Sequence, residues 1–266
     1  MALERLNSLW VGERLGYLEQ LCFVSALGQG HEVVLYSYTP ESLQGVPDGV
    51  EIRDAREIMS EQRLVRYSDT GSFALGANFF RYRLLEKGLG YWVDADVYFI
   101  KPLDFSEKFV LGWEDESKIN SAILLLPSDS KIVQDLCNLP SDNVRPAWFG
   151  PKRSLLYYIA RTTRKKGMRV QDLPWGTYGP EMLTYLAKKH KIAELAKKPS
   201  VFYPVGWPEA RRLYGPAEQI EAMIRPDTCV VHLYNGALFG LRDKKPPQGS
   251  YIELACKKYG IETPRH

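Results

Sequence analysis

The chain has few cysteines, almost no net charge and no long apolar run. No stretch approaches the roughly 18 consecutive apolar residues that a spanning helix needs, so no transmembrane segment is expected. The first ten residues, with Glu4, Arg5 and Asn7, lack a signal-peptide core. Four cysteines (Cys22, Cys137, Cys229 and Cys256) include no CxxC pair, which argues for scattered reduced thiols rather than a zinc or redox site. There is no Asn-x-Ser/Thr sequon. The 35 Lys+Arg against 32 Asp+Glu leave a formal charge of +3, too little to mark a polyanion-binding surface. No nucleic-acid partner is therefore expected. Gly (21) and Pro (17) show no period, which excludes collagen-like and low-complexity classes. These absences point to a soluble protein of a reducing compartment.

What is present is enough apolar surface for a core: 45% of the 266 residues are hydrophobic and 12% aromatic, with 16 Tyr and 6 Trp. Apolar Leu6–Val11 reads as a first strand. Glu13–Ala26 carries Leu15, Leu18, Cys22 and Ala26 at helical spacing, and Gly28 and Gly30 end it. Glu32–Tyr38 reads as a buried strand, 45–49 as a turn and Val50–Ile52 as a short strand, with Asp54 placed to cap the turn after it. Phe73, Ala77, Phe80 and Leu84 predict a helix over 73–87. Tyr91–Val97 and Ile119–Leu126 read as strands, 155–164 and 180–196 as helices, Cys229–Leu233 as a late strand, and 242–249 as an irregular surface segment. Strands alternate with helices and are apolar throughout. That pattern predicts an α/β fold with a mostly parallel sheet covered on both faces. No repeat or linker composition divides the chain, so one domain is expected over 1–266.

The sharpest chemical signal is Asp94-Ala95-Asp96 after the apolar Tyr91-Trp92-Val93. On an extended chain, residues two apart point to one side. The small middle residue leaves room for a ligand. A strand's carboxyl end is where open α/β sheets bind ligands. Two such close carboxylates repel unless a cation joins them, and hard oxygen ligands suit Mg²⁺ or Mn²⁺. Two solvated acids in a turn are the alternative, which the Tyr-Trp-Val context argues against.

Other motif classes fail. Tyr98 stands where the two-Asp phosphatase pattern needs Thr or Val. Val33 replaces the third glycine of a dinucleotide loop beginning at Gly28, and there is no Walker lysine, Gly-x-Ser-x-Gly or His-Glu-x-x-His. Of the four histidines, His31 reads as structural, His190 in KKHK as solvated, and His266 lies in the tail. His232 ends a strand as Asp96 does, and beside a divalent ion its imidazole would complete the coordination.

These residues carry a resemblance. The stretch 78–104, NFFRYRLLEKGLGYWVDADVYFIKPLD, resembles GT-A-fold glycosyltransferases with a DXD motif. It is most like glycosyltransferase family 32, with its α-1,4-glycosyltransferase and capsular-polysaccharide relatives. Arg81 and Leu85 match on the helix, and Gly90, Tyr91, Asp94 and Asp96 match on the strand. Ala77-Asn78 and Leu89 depart from the family's Ser-Asp and Gly. The segments Ser8–Gly12, Gly30–Val33, Tyr178–Pro180 and His232–Asn235 add weaker matches in the expected order, so the likeness spans about 6–240.

The resemblance implies a GT-A-like, single Rossmann-like domain. Residues 6–104 would form the nucleotide-sugar-binding half, 105–240 the acceptor-side half and 241–266 a C-terminal tail. It implies a retaining hexosyl transfer from a nucleotide sugar, usually a UDP-hexose, with Mn²⁺ or Mg²⁺. The acceptor would be a glycan or a lipid-linked glycan. Asp96 would bind the metal directly, Asp94 through water or the ribose, and His232 with Asn235 would close the far side of the diphosphate. Arg81 would orient the donor sugar or steady the two acids, and Asp94, Asp96 and Arg81 are the catalytic candidates. Leu9, Trp10, Val11, Asn78, Ala95 and Gly179 complete the expected donor site. Trp148–Tyr158, and Trp175 with Tyr178, are candidate acceptor walls. A non-catalytic nucleotide-sugar-binding protein and a metal-dependent nucleotidyltransferase are the alternatives. The expected location is the cytoplasm, or the inner membrane face if the acceptor is lipid-linked. The basic stretches 161–166 and 188–198 are then candidates for a weak membrane contact, against the alternative of solvated helix faces.

Overall fold

A computed structural model describes residues 3–138, 140–164 and 167–265. In chain order the elements are β1 (Leu6–Trp10), α1 (Tyr17–Gly28), β2 (Val33–Ser37), β3 (Val50–Asp54), α2 (Ala74–Glu86), β4 (Tyr91–Val93), β5 (Val97–Phe99), β6 (Val110–Trp113) and β7 (Ile119–Leu125). Next come α3 (Lys131–Cys137), α4 (Pro151–Thr163), α5 (Met182–Lys189), α6 (Pro199–Phe202), α7 (Ala217–Glu221), β8 (Val230–His232) and α8 (Tyr251–Tyr259). Short 3-10 turns fill several connections.

The main sheet runs β3-β2-β1-β4-β7-β6. β1 pairs in parallel with β2 and β4, and β2 with β3. β7 is antiparallel to both β4 and β6. The expected α/β architecture, with a mostly parallel sheet flanked by helices, is what forms. Strands β2 and β4 are almost wholly apolar because both faces are covered there, whereas edge strand β3 (VEIRD) is partly exposed. Along β2, Val33 and Leu35 enter one core while Val34 and Tyr36 enter the other, beyond the opposite face. Along β4, Tyr91 and Val93 face the first and Trp92 the second. Each such fully buried side chain contributes about 1.5–3 kcal/mol. Helix α2 packs on α3, and α1 packs on β5 and on α8.

Several boundaries differ from the expectation. The predicted strand 91–97 is two strands in two sheets, for β5 leaves the main sheet to pair antiparallel with β8. Asp94-Ala95-Asp96 is therefore a turn and not an extended run. Residues 13–16 precede α1 rather than joining it, because there the Leu15 N–H donates to Gln44 O and the Gln44 N–H donates to Glu13 O. The predicted helix 180–196 starts with a wide turn over Thr177–Glu181, runs as α5, and stops at Lys191, which is left-handed at φ 59°. The strand β6 and the helices α3 and α8 were not expected. α8 is capped by Ser250, whose hydroxyl accepts the Glu253 N–H at 3.2 Å, and it buries Tyr251, Ile252, Ala255 and Cys256. His190 is not solvated as expected: its ring pairs with Asp135 at 2.8 Å. His31 is structural, held between Glu4 O and the Leu103 N–H, whereas His266 lies outside the described residues.

One glycine sets how α2 feeds β4. Gly90 adopts φ 101°, and a Cβ there would lie 2.5 Å from Arg5 O. That contact is backbone and cannot step aside. Gly90→Ala is expected to destabilise by about 2–4 kcal/mol, read as a lower urea midpoint with unchanged slope.

Candidate metal centre

The turn after β4 places two acids at the strand's carboxyl end, and β8 brings a histidine to them. Asp94, Asp96 and His232 can each offer one ligand atom with all these atoms within 4.8 Å of one another. β5 and β8 make this possible, since Val97 pairs directly with His232. The Leu233 N–H donates to Asp96 O at 2.8 Å. His232 Nε2 lies 3.2 Å from Asp96 Oδ1, and the Asn235 backbone N–H donates to Asp96 Oδ2 at 2.9 Å.

Burial alone would raise the Asp96 pKa, but the charge and hydrogen bond of His232 and the Asn235 N–H outweigh it and hold the carboxyl below its ordinary value. Burial would likewise lower the His232 pKa, and the facing Asp96 carboxylate carries it above the ordinary imidazole value. The second ring nitrogen, Nδ1, is buried without a partner. Two hard carboxylates, an imidazole and an unspent ring nitrogen are a donor set that suits a divalent ion such as Mn²⁺ or Mg²⁺.

Asp94 is held from behind. Arg81 on α2 reaches its Oδ1 at 2.5 Å, and Trp92 Nε1 donates to the same oxygen at 2.6 Å. Arg81 is itself 4% exposed. It also donates to Asn78 Oδ1 at 2.6 Å and to Ser121 Oγ, and its guanidinium lies 4.9 Å over the Trp92 ring. Asn78 and Arg81 meet because three residues make nearly one helical turn. Gly179 comes so close that a Cβ would sit 2.9 Å from Asn78 Nδ2. The wide turn over Thr177–Glu181 thus presses its backbone onto α2.

Asp94, Asp96, Ala95, His232, Asn235, Arg81, Asn78 and Gly179 therefore gather around the carboxyl end of β4. The three β1 candidates lie one strand over. Trp10 and Val11 line a cleft of about 480 Å³ with Gly12, Ser37, Tyr38, Arg66 and Phe73. Leu9 is buried in the core beside it. β1 lies between β2 and β4, so this cleft and the acids share the carboxyl ends of neighbouring parallel strands.

Four contributors had not been expected from the sequence. Trp92 and Ser121 grip Asp94 and Arg81 as above. Glu19, in the first turn of α1, is 4% exposed and accepts Asn235 Nδ2 at 2.6 Å. Burial pushes its pKa up, against its own backbone N–H and the Asn235 amide. A signal existed: Glu19 shares a helical face with Cys22, Phe23 and Ala26, so it is an acid on an apolar stripe. Replacing Glu19 with alanine strands the Asn235 amide. Mn²⁺ affinity by calorimetry is expected to drop about 10–100-fold, as for other supports of metal ligands. Unchanged affinity would remove this role.

The fourth is Trp207. Tyr234 sits in the left-handed region at φ 54°, a strained placement for a tyrosine. Its ring lies on His232, centroids 3.9 Å apart, and meets Trp207 edge-on at 5.6 Å. Trp207 continues to Trp175 at 6.5 Å, and these two are 46% and 55% exposed. An aromatic ladder therefore climbs from the acids and histidine to solvent. Tyr178, expected beside Trp175, is instead buried edge-on against Trp148.

Among the described residues no helix is long and apolar enough to cross a membrane. Compared with known proteins, the chain matches no family model and has no significant match among curated proteins. Among solved structures it is similar to mouse xyloside xylosyltransferase 1 in its apo form, at 10% identity over 88% of this chain and 98% of that one, with a TM-score of 0.41.

Proposed function

We propose that this chain is a divalent-metal-dependent, retaining glycosyltransferase of the GT-A type. It would move a hexose from a nucleotide sugar, of the UDP class, to a glycan or lipid-linked glycan. The observation that carries the reading is the Asp94–Asp96–His232 cluster at the carboxyl end of β4, beside a cleft at the ends of β1 and β2. A nucleoside diphosphate has a base and ribose for such a cleft and a diphosphate for such a cluster. The cleft's 480 Å³ lies within the range of about 300–1,000 Å³ usual for small-ligand sites. Trp10 and Phe73 offer ring surface to a base there, and the exposed Thr39 hydroxyl suits a ribose.

A bound Mn²⁺ or Mg²⁺ supplies Lewis-acid neutralisation of the departing diphosphate. Asp96 and His232 hold the ion. The Asn235 N–H fixes the Asp96 rotamer, with Glu19 steadying Asn235 from α1. Arg81 and Trp92 spend one oxygen of Asp94, which turns the other toward the ligand side. Trp175 and Trp207 would stack on pyranose faces of the acceptor, since exposed ring faces next to a sugar-transfer site suit that contact.

The test is a panel of nucleotide sugars with and without Mn²⁺. Metal-dependent release of a nucleoside diphosphate supports the reading. Release of pyrophosphate would point to nucleotidyl transfer. Tight UDP–Mn²⁺ binding with no turnover on any donor would point to a binding protein. Once transfer is found, the Trp175→Ala/Trp207→Ala pair should raise the acceptor KM about tenfold or more, since each stacked ring contributes about 0.5–1.5 kcal/mol beyond its burial. Donor hydrolysis by Trp175→Ala alone should be unaffected, since Trp175 meets Trp207 and stands two rings away from His232. A KM equal to that of the parent chain would clear both rings of the role.

A further inference from the structure

Helix α4 turns its apolar side away from the protein. Tyr157 is its one buried residue, packed against Phe149 at 6.3 Å between ring centroids. Leu155, Leu156, Tyr158 and Ile159 are instead between 49% and 62% exposed. At about 100° per residue, Leu155 and Ile159 form the outward stripe, Leu156 and Tyr158 flank it, and Tyr157 lies opposite. A surface helix of a globular protein normally shows the reverse arrangement. Four large apolar side chains together on one helix face mark a surface made to be covered.

The charge around this helix says by what. Residues 141–169 hold eight Lys+Arg and one acid, Asp142, a net +7 by sequence, of which Arg164 and Arg169 are paired with Asp172. The whole chain is +3, so all the rest together is −4. α4 itself carries Lys152, Arg153 and Arg161 and no acid. Arg153 is engaged by Glu181, while Lys152 and Arg161 are exposed. Lys165 and Lys166, part of the basic stretch expected at 161–166, lie outside the described residues. The other candidate stretch, 188–198, is less available, because Lys189 pairs with Asp135 and Lys197 with Glu107. A second copy of the chain docked symmetrically on α4 would set one +7 segment against another. An anionic surface with an apolar interior meets both the charge and the exposed side chains.

We propose that α4 is a peripheral membrane-docking helix. Leu155, Leu156, Tyr158 and Ile159 sink among the headgroups of a bilayer carrying anionic lipid, with Lys152, on the same side of the helix, at the level of the phosphates. The assignment stands on this face alone and is independent of the catalytic reading.

The test is sedimentation of the full chain with vesicles of phosphatidylcholine containing about one-third phosphatidylglycerol, beside pure phosphatidylcholine. The chain should pellet with the anionic vesicles, less so as salt rises, and little with phosphatidylcholine. Leu155→Ser/Ile159→Ser should weaken that partition about tenfold or more. Its thermal midpoint should fall only slightly, since the two residues are already 62% and 50% exposed. Three results would overturn the assignment. One is no binding to anionic vesicles. Another is binding that the double variant leaves intact, which is surface adsorption by charge alone. The last is a concentration-dependent dimer that the variant dissolves, with no vesicle binding.

Discussion

Asp96→Ala should lower metal-dependent sugar transfer by about 10³-fold or more. Asp96 is the residue on which the cluster closes. It faces His232 across 3.2 Å, accepts the Asn235 N–H at 2.9 Å, and ties its carbonyl to Leu233. Removing the carboxylate would delete a hard ligand of the proposed metal site and strand both partners. Neutralising a departing diphosphate is a several-kcal/mol effect, at about 1.4 kcal/mol per tenfold in rate. The measurement is the initial rate of nucleoside diphosphate release against Mn²⁺ concentration, with a thermal melt to show that the variant folds. Asp96→Asn keeps the size and the N–H acceptor but not the charge, so it should be nearly as damaged. An Asp96→Ala enzyme with the parent's rate at saturating metal would sink the assignment.

Arg81→Ala should be the most destabilising single change at the site, by about 3 kcal/mol. Its side chain is 5% exposed and serves Asn78, Ser121 and Asp94 at once. Truncation takes a donor from Asn78 and Ser121 and leaves the Asp94 charge with Trp92 Nε1 but no cation beside it. Breaking a buried ion pair from one side costs about 3–5 kcal/mol. The lower end applies because the Asp94 side chain is 26% exposed and water relieves part of the loss. Urea unfolding reads the size. The double variant Arg81→Ala/Asp94→Ala should recover about 1 kcal/mol or more of it, because the second change removes the stranded charge. Strictly additive losses would show that the two side chains are not coupled.

Much of the frame was legible along the chain. β2, β4 and β7 announced themselves as apolar runs because both faces of the sheet are buried, so no polar alternation interrupts them. The α2 stripe was legible from its apolar spacing, although the helix is buried on several sides, against β4, α3 and the turn over Thr177–Glu181. What failed were elements whose stability comes from neighbours. β6 is four residues long and exists because β7 pairs with it. α8 is made by docking on α1, with Ser250 capping its first turn. The Asp-x-Asp segment reads as strand because its flanks are strand. Nothing local says that the chain leaves one sheet for another between Val93 and Val97.

By itself the amino-acid sequence determined the α/β pattern, the two acids after an apolar strand, and the types of residue that recur near them. Those are local facts of spacing and composition. The tertiary structure alone decided which of these residues meet. Asp96 and His232 are 136 residues apart and touch because β5 pairs with β8. Glu19 reaches Asn235 across 216 residues because α1 packs under that small sheet. The same holds for what does not meet: Leu155 and its neighbours look like core in the sequence and stand in water in the fold. Periodicity records that a side chain is apolar. Only the packing of other elements against it settles whether anything covers it.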